Sequence, residues 1–85
     1  MDNYKEVIKS FIIENFLFGD EGKLKDDTDF FNTGIIDSTG ILELVGFIES
    51  SLPVKVNDDE LVVKNFSSLN NITAYLKLKL NSNSN

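Results

Sequence analysis

Three observations predict an all-α fold. Apolar residues recur at helical spacing in three separate segments, the chain has a single proline, and its 41% apolar content includes seven phenylalanines. That content supplies a packed core, and seven phenylalanines with a single proline fit short helices better than a turn-rich sandwich of strands. The expected architecture is a small four-helix bundle, three main helices plus one short one, with a long first loop. With 85 residues it is one domain. It is expected over residues 1–80, followed by a polar, disordered tail at 81–85, NSNSN. A chain of this length buries only roughly 60–65% of its unfolded surface, which leaves little room for an internal active site.

The first helix is read from DNYKEVIKSFIIENFLF. Tyr4, Val7, Ile8, Phe11, Ile12 and Phe16 share one face, and Lys5, Glu6, Lys9 and Glu14 fall largely opposite. Gly19, free to adopt the left-handed conformation, is the expected C-cap. Residues 19–36 then show no sustained period. Their Gly, Asp and Asn mark turns, with Leu24, Phe30, Phe31, Ile35 and Ile36 as anchors to the core. A loop this long is usually functional. Its acidic run DDTD lacks the glycine and closing glutamate of a calcium loop, so no metal site is expected.

The second main helix comes from GIIDSTGILELVGFIE, residues 34–49. Ile41, Leu44, Val45 and Ile48 form its inner stripe, flanked by Leu42 and Phe47, while Glu43 and Glu49 point away. Asp37 is the expected N-cap, its carboxylate accepting from first-turn amides and favoured by the helix dipole. Gly40 and Gly46 each cost about 1 kcal/mol of helix propensity relative to Ala, without return unless something approaches closely. After a linker broken by Pro53, NDDELVV reads as a short helical turn capped by Asn57. Ser67 or Ser68 opens the last helix, with Leu69, Ile72 and Leu76 inward, Tyr75 beside them, and Lys77 and Lys79 at its C-terminal end.

Charge excludes several functions. Fourteen acids face eight lysines and the net charge is −6, a balance that repels phosphate backbones and disfavours nucleic acid. Six acids and no base lie between Asp26 and Glu49, and Asp58, Asp59 and Glu60 add three more. From residue 61 onward only lysines carry charge. Such a face attracts basic protein surfaces. No run of 18 apolar residues and no signal-peptide core occur, so neither a membrane span nor export is expected, and the cytoplasm is the expected compartment. With no large apolar surface left once the helices pack, a monomer is expected.

The Asp37-Ser38 pair opens an acidic, apolar helix, yet the chain has no histidine and no cysteine. A serine nucleophile needs a base within hydrogen-bond reach, so hydrolysis is disfavoured and no catalytic residue is assigned. Ser38 is then either a plain helix-start hydroxyl or a place where another protein attaches something.

The chain resembles the acyl carrier proteins of the phosphopantetheine-binding family over residues 2–80. The likeness is carried by G-I-I-D-S followed by L-E-L-V and F-I-E, by the approach D-x-D-F-F-x-x-G, by V-N-D-D-E-L, and by N-F-S-S-L-N-N-I-T-A-Y-L. The resemblance implies a discrete, stand-alone carrier in which Ser38 receives 4'-phosphopantetheine from coenzyme A through a phosphodiester. The catalytic base and metal are then supplied by a phosphopantetheinyl transferase. It further implies partner recognition by Asp37, Thr39, Glu43, Glu49, Asp58, Asp59 and Glu60. An acyl pocket between helices is expected from Ile36, Ile41, Val45, Leu61 and Leu69. Where the fatty-acid branch usually has Leu after the serine and often Met on the recognition helix, this chain has Thr39 and Gly46. That departure implies a specialised pathway, in which an adenylating enzyme loads an acyl, aminoacyl or hydroxyacyl group and a downstream acyltransferase or synthase takes it. The alternative is an acidic helical adaptor that carries no arm.

Overall fold

A computed structural model describes residues 4–83. Among them are five α-helices: α1 (Tyr4–Phe16), α2 (Phe30–Thr33), α3 (Ser38–Ser51), α4 (Val63–Phe66) and α5 (Leu69–Asn83). Two 3-10 turns, Glu21–Lys23 and Asp58–Glu60, complete the order. The long helices α1, α3 and α5 make the bundle, with α1 packed on both of the others and α4 on α5.

The core forms where the three apolar stripes meet. Ile8 and Ile12 of α1, Leu44 and Ile48 of α3, and Leu69, Ile72 and Leu76 of α5 are completely buried. Each such side chain contributes about 1.5–3 kcal/mol of transfer free energy. Phe11 of α1 and Phe47 of α3 stack at 4.1 Å between ring centroids, tying these helices at their outer seam.

The structure refines four expectations. First, α1 ends at Phe16, and Gly19 does take the left-handed conformation with its N–H donating to Ile13 O at 2.9 Å. Phe18 shares that conformation, at φ 53°, and its side chain is 93% exposed. Second, the first loop contains α2, because the Asp29 carboxylate accepts from Phe31 N and Asn32 N at 3.0 Å and Gly34 closes the turn at φ 78°. Third, the single short helix expected at NDDELVV is a 3-10 turn followed by a separate α4. Fourth, residues 81–83, expected in the tail, continue α5, since no Gly or Pro interrupts them, while Ser84 and Asn85 lie outside the described residues. Lys79 is therefore not in the last turn of its helix.

The first loop is secured at several points. Leu24, Phe30 and Ile36 are buried as anchors. Asn70 N donates to Asp26 O at 3.0 Å, Phe30 N donates to Ser67 O at 2.8 Å, and Lys5 Nζ pairs with Asp26 at 2.6 Å. These ties fix the chain that delivers Asp37 and Ser38 to the start of α3. No helix among the described residues is long and apolar enough to cross a membrane.

Candidate functional site

Ser38 is the first residue of α3, and Asp37 caps it. The cap is extended, at φ −102° and ψ −172°, and its Oδ1 accepts from Gly40 N at 2.7 Å. Placing the cap one residue upstream leaves the Ser38 hydroxyl free of that duty, and the side chain is exposed. The hydroxyl has no hydrogen-bond partner among the described residues. The Ser38 and Thr39 N–H groups likewise lack an acceptor there, as expected for the first amides of a helix.

Beside Ser38 lies a cleft of about 280 Å³. Its walls are Phe31 of α2, Ile41 and Leu42 of α3, and Leu61, Val62, Val63 and Phe66 from the far side. Leu42 is 60% and Val63 63% exposed, so the rim is apolar. Phe66, 1% exposed, closes the floor. Of the residues expected to line a pocket, Ile41 and Leu61 stand in this wall. Ile36 and Leu69 are instead buried in the core, and Val45 packs half-buried against it. Sequence reasoning missed Phe31, Leu42, Val62, Val63 and Phe66 as cleft residues. Helical spacing gave Leu42 only a flanking role, and no period marks residues 61–66.

The residues expected to meet partners are not equivalent. Thr39, Glu43, Asp58 and Asp59 are exposed. Asp37 is exposed with one carboxylate oxygen on Gly40 N. Glu49 is exposed, but its Oε2 accepts from Val56 N at 2.8 Å and pins the chain that leaves α3. Glu60 is half-buried: its carboxylate accepts from Asn57 N at 3.0 Å, Tyr75 OH at 3.0 Å and Lys79 Nζ at 2.8 and 2.9 Å. The Lys79 hydrogen bond, followed by that from Asn57, holds the Glu60 carboxyl below the usual carboxylate range. Burial, then the Glu60 contact, pushes the Tyr75 phenol up.

A serine at a helix start beside an apolar cleft, in a chain without histidine, can accept a group but cannot activate itself. Comparison with protein families identifies the family of the chain. Residues 16–76, more than half of the chain, match the family model described as phosphopantetheine attachment site. The chain belongs to the phosphopantetheine attachment site family. It is therefore a carrier protein and not an enzyme, and its prosthetic group is 4'-phosphopantetheine. The family needs a phosphopantetheinyl transferase and acyl-handling enzymes as partners. No curated protein matches the chain. The surroundings of Ser38 fit the prosthetic group: a phosphodiester is an anion, and the free amides and positive dipole end of α3 favour one. The apolar cleft next to it suits an apolar group borne by the arm more than the amide-rich arm itself.

Proposed function

We propose that Ser38 is the attachment residue and that the protein is a discrete carrier serving a specialised biosynthetic pathway. The observation that carries this reading is the exposed, hydrogen-bond-free Ser38 hydroxyl at the first position of α3, one residue past the Asp37 cap. The arm ends in a thiol, which gives a cysteine-free protein its means of holding a thioester. The chain's own residues do the rest. Asp37 fixes the helix start, the first-turn amides would receive a phosphodiester, and Ile41, Leu42 and Val62 line the space beside Ser38. Recognition falls to Thr39, Glu43, Asp58 and Asp59, which have no internal duty, with Asp37 between the two roles. Glu49 and Glu60 add charge to the same face while bracing the chain.

Two features bear on the choice of cargo and pathway. The cleft, at about 280 Å³ and lined in part by buried Phe66, lies at the small end of common ligand pockets, which run roughly 300–1,000 Å³. Gly46 also leaves open space on the outer face of α3 where the fatty-acid branch presents a bulky side chain. An adenylating enzyme that installs an acyl, aminoacyl or hydroxyacyl group suits this surface, with an acyltransferase or synthase downstream.

The test is an intact-mass measurement after incubation with coenzyme A, magnesium and a promiscuous phosphopantetheinyl transferase. One phosphopantetheinyl group is expected on the wild type and on Ser50→Ala, and none on Ser38→Ala. Loading that persists in Ser38→Ala would move the attachment elsewhere.

A further inference from the structure

The outer wall of the cleft is a short segment with little burial of its own. Between the buried side chains of Val56 and Phe66, Leu61 is half-buried and Val62 and Val63 are exposed. Hydrophobic packing alone does not fix such a wall. Polar ties do, and they converge on Glu60. Its carbonyl accepts from Val62 N at 2.9 Å and from Asn65 Nδ2 at 2.8 Å, which folds Leu61–Val63 back over the turn. Its carboxylate reaches across to α5, where Lys79 and Tyr75 hold it. The Lys79 and Glu60 side chains are 19% and 27% exposed, so this pair is better shielded than a surface ion pair. Tyr75 also packs its ring on Phe66, at 5.2 Å between centroids, so one α5 side chain touches both the latch and the cleft floor.

We infer that Glu60 is a positioning residue, latched by Lys79 and Tyr75, that sets the width of the cleft beside Ser38 and thereby limits the bulk of the apolar group it admits. This deepens the reading of that cleft as the resting place of an apolar group borne by the arm, and rests on it. Releasing the latch frees the Leu61–Val63 wall to swing outward about its two buried anchors. The bundle of α1, α3 and α5 does not depend on it.

The test uses the full chain and the variants Lys79→Met, Lys79→Arg and Tyr75→Phe. In the unmodified protein, amide hydrogen exchange at Leu61, Val62 and Asn65 is expected to quicken about tenfold in Lys79→Met, while Leu44 and Ile48 on α3 keep their protection. Tyr75→Phe should do so less, and Lys79→Arg should restore the wild-type pattern. The proteins are then loaded with a coenzyme A whose thiol carries a solvatochromic fluorophore too large for the wild-type cleft. Blue-shifted emission is expected only in Lys79→Met. Exchange that is unchanged at 61–65, that quickens equally in α3, or that Lys79→Arg fails to restore would overturn the latch, as would identical emission in all loaded variants. A chain that refuses loading sinks the attachment reading alone, and the exchange pattern then decides the latch by itself.

Discussion

The edge of the Phe16 ring occupies the space where a side chain on Gly40 would begin: a Cβ there would lie 2.8 Å from Phe16 Cε1. It would also press on Asp37 Oδ1 and Ile36 Cγ2, both at 3.3 Å. Gly40 is thus the point where α1 meets the first turn of α3. At Gly46, further along the same helix, a Cβ would meet nothing within 4 Å. The two glycines should therefore respond oppositely to Ala. Gly46→Ala is expected to raise stability by about 1 kcal/mol through helix propensity alone. Gly40→Ala gains the same propensity but must displace the ring, and is expected to come out less stable than wild type. Urea midpoints at neutral pH read both.

Asp37 serves as cap, and two substitutions separate this from the recognition role proposed for it. Asn caps as well as Asp, so Asp37→Asn should change stability little, and any fall in its loading efficiency reports the lost charge. Asp37→Ala should lose about 1 kcal/mol in addition, because Gly40 N loses its acceptor. Ser38→Ala, which removes no hydrogen bond, should stay within about 0.5 kcal/mol of wild type.

Charge reversal distinguishes free acids from braced ones. Glu43→Lys, alone or with Asp58→Lys and Asp59→Lys, should raise the KM for the transferase while leaving the urea midpoint near wild type. Glu49→Gln should behave differently. It weakens the acceptor for Val56 N and is expected to cost about 1 kcal/mol of stability with a smaller effect on KM. Equal effects of Glu43→Lys and Glu49→Gln on KM would contradict this division.

Stability should fall at both ends of the pH scale for identifiable reasons. Lys5 holds the Asp26 carboxyl below its usual value, and Lys79 does the same for Glu60. A carboxyl whose folded value is lowered adds stability above its unfolded value and loses it as pH falls through the folded one. The Tyr75 phenol is raised above its ordinary value of 10.0, so its contribution is complete below that value and is lost as pH rises beyond it. A plateau near neutrality is expected. Glu60→Gln should make the acid limb shallower, and the urea midpoint as a function of pH measures it.

The parts legible in the sequence were those governed by one helix and its cap. The stripes Ile8–Ile12, Leu44–Ile48 and Leu69–Ile72–Leu76 follow from spacing, and Asp37 follows from its place before an apolar run. Ser68, one of two candidates, opens α5 with its Oγ accepting from Asn71 N. What could not be read depends on contacts between distant segments. Leu42 belongs to a cleft only because residues 61–66 come to lie opposite it. Glu60 looks like one more acid in an acidic run until Lys79, nineteen positions away, is brought against it. Likewise Gly40 is a defect in a lone helix and a fitted surface once Phe16 is beside it.

That the helix is capped by Asp37 and not by Ser38 has a consequence for substitution at position 38. A serine that caps its own helix is retained by folding, since losing the oxygen would weaken the helix. Here the hydroxyl bears no such burden, and a descendant could discard it and still assemble the same bundle. The fold alone sets no demand for an oxygen atom at that position.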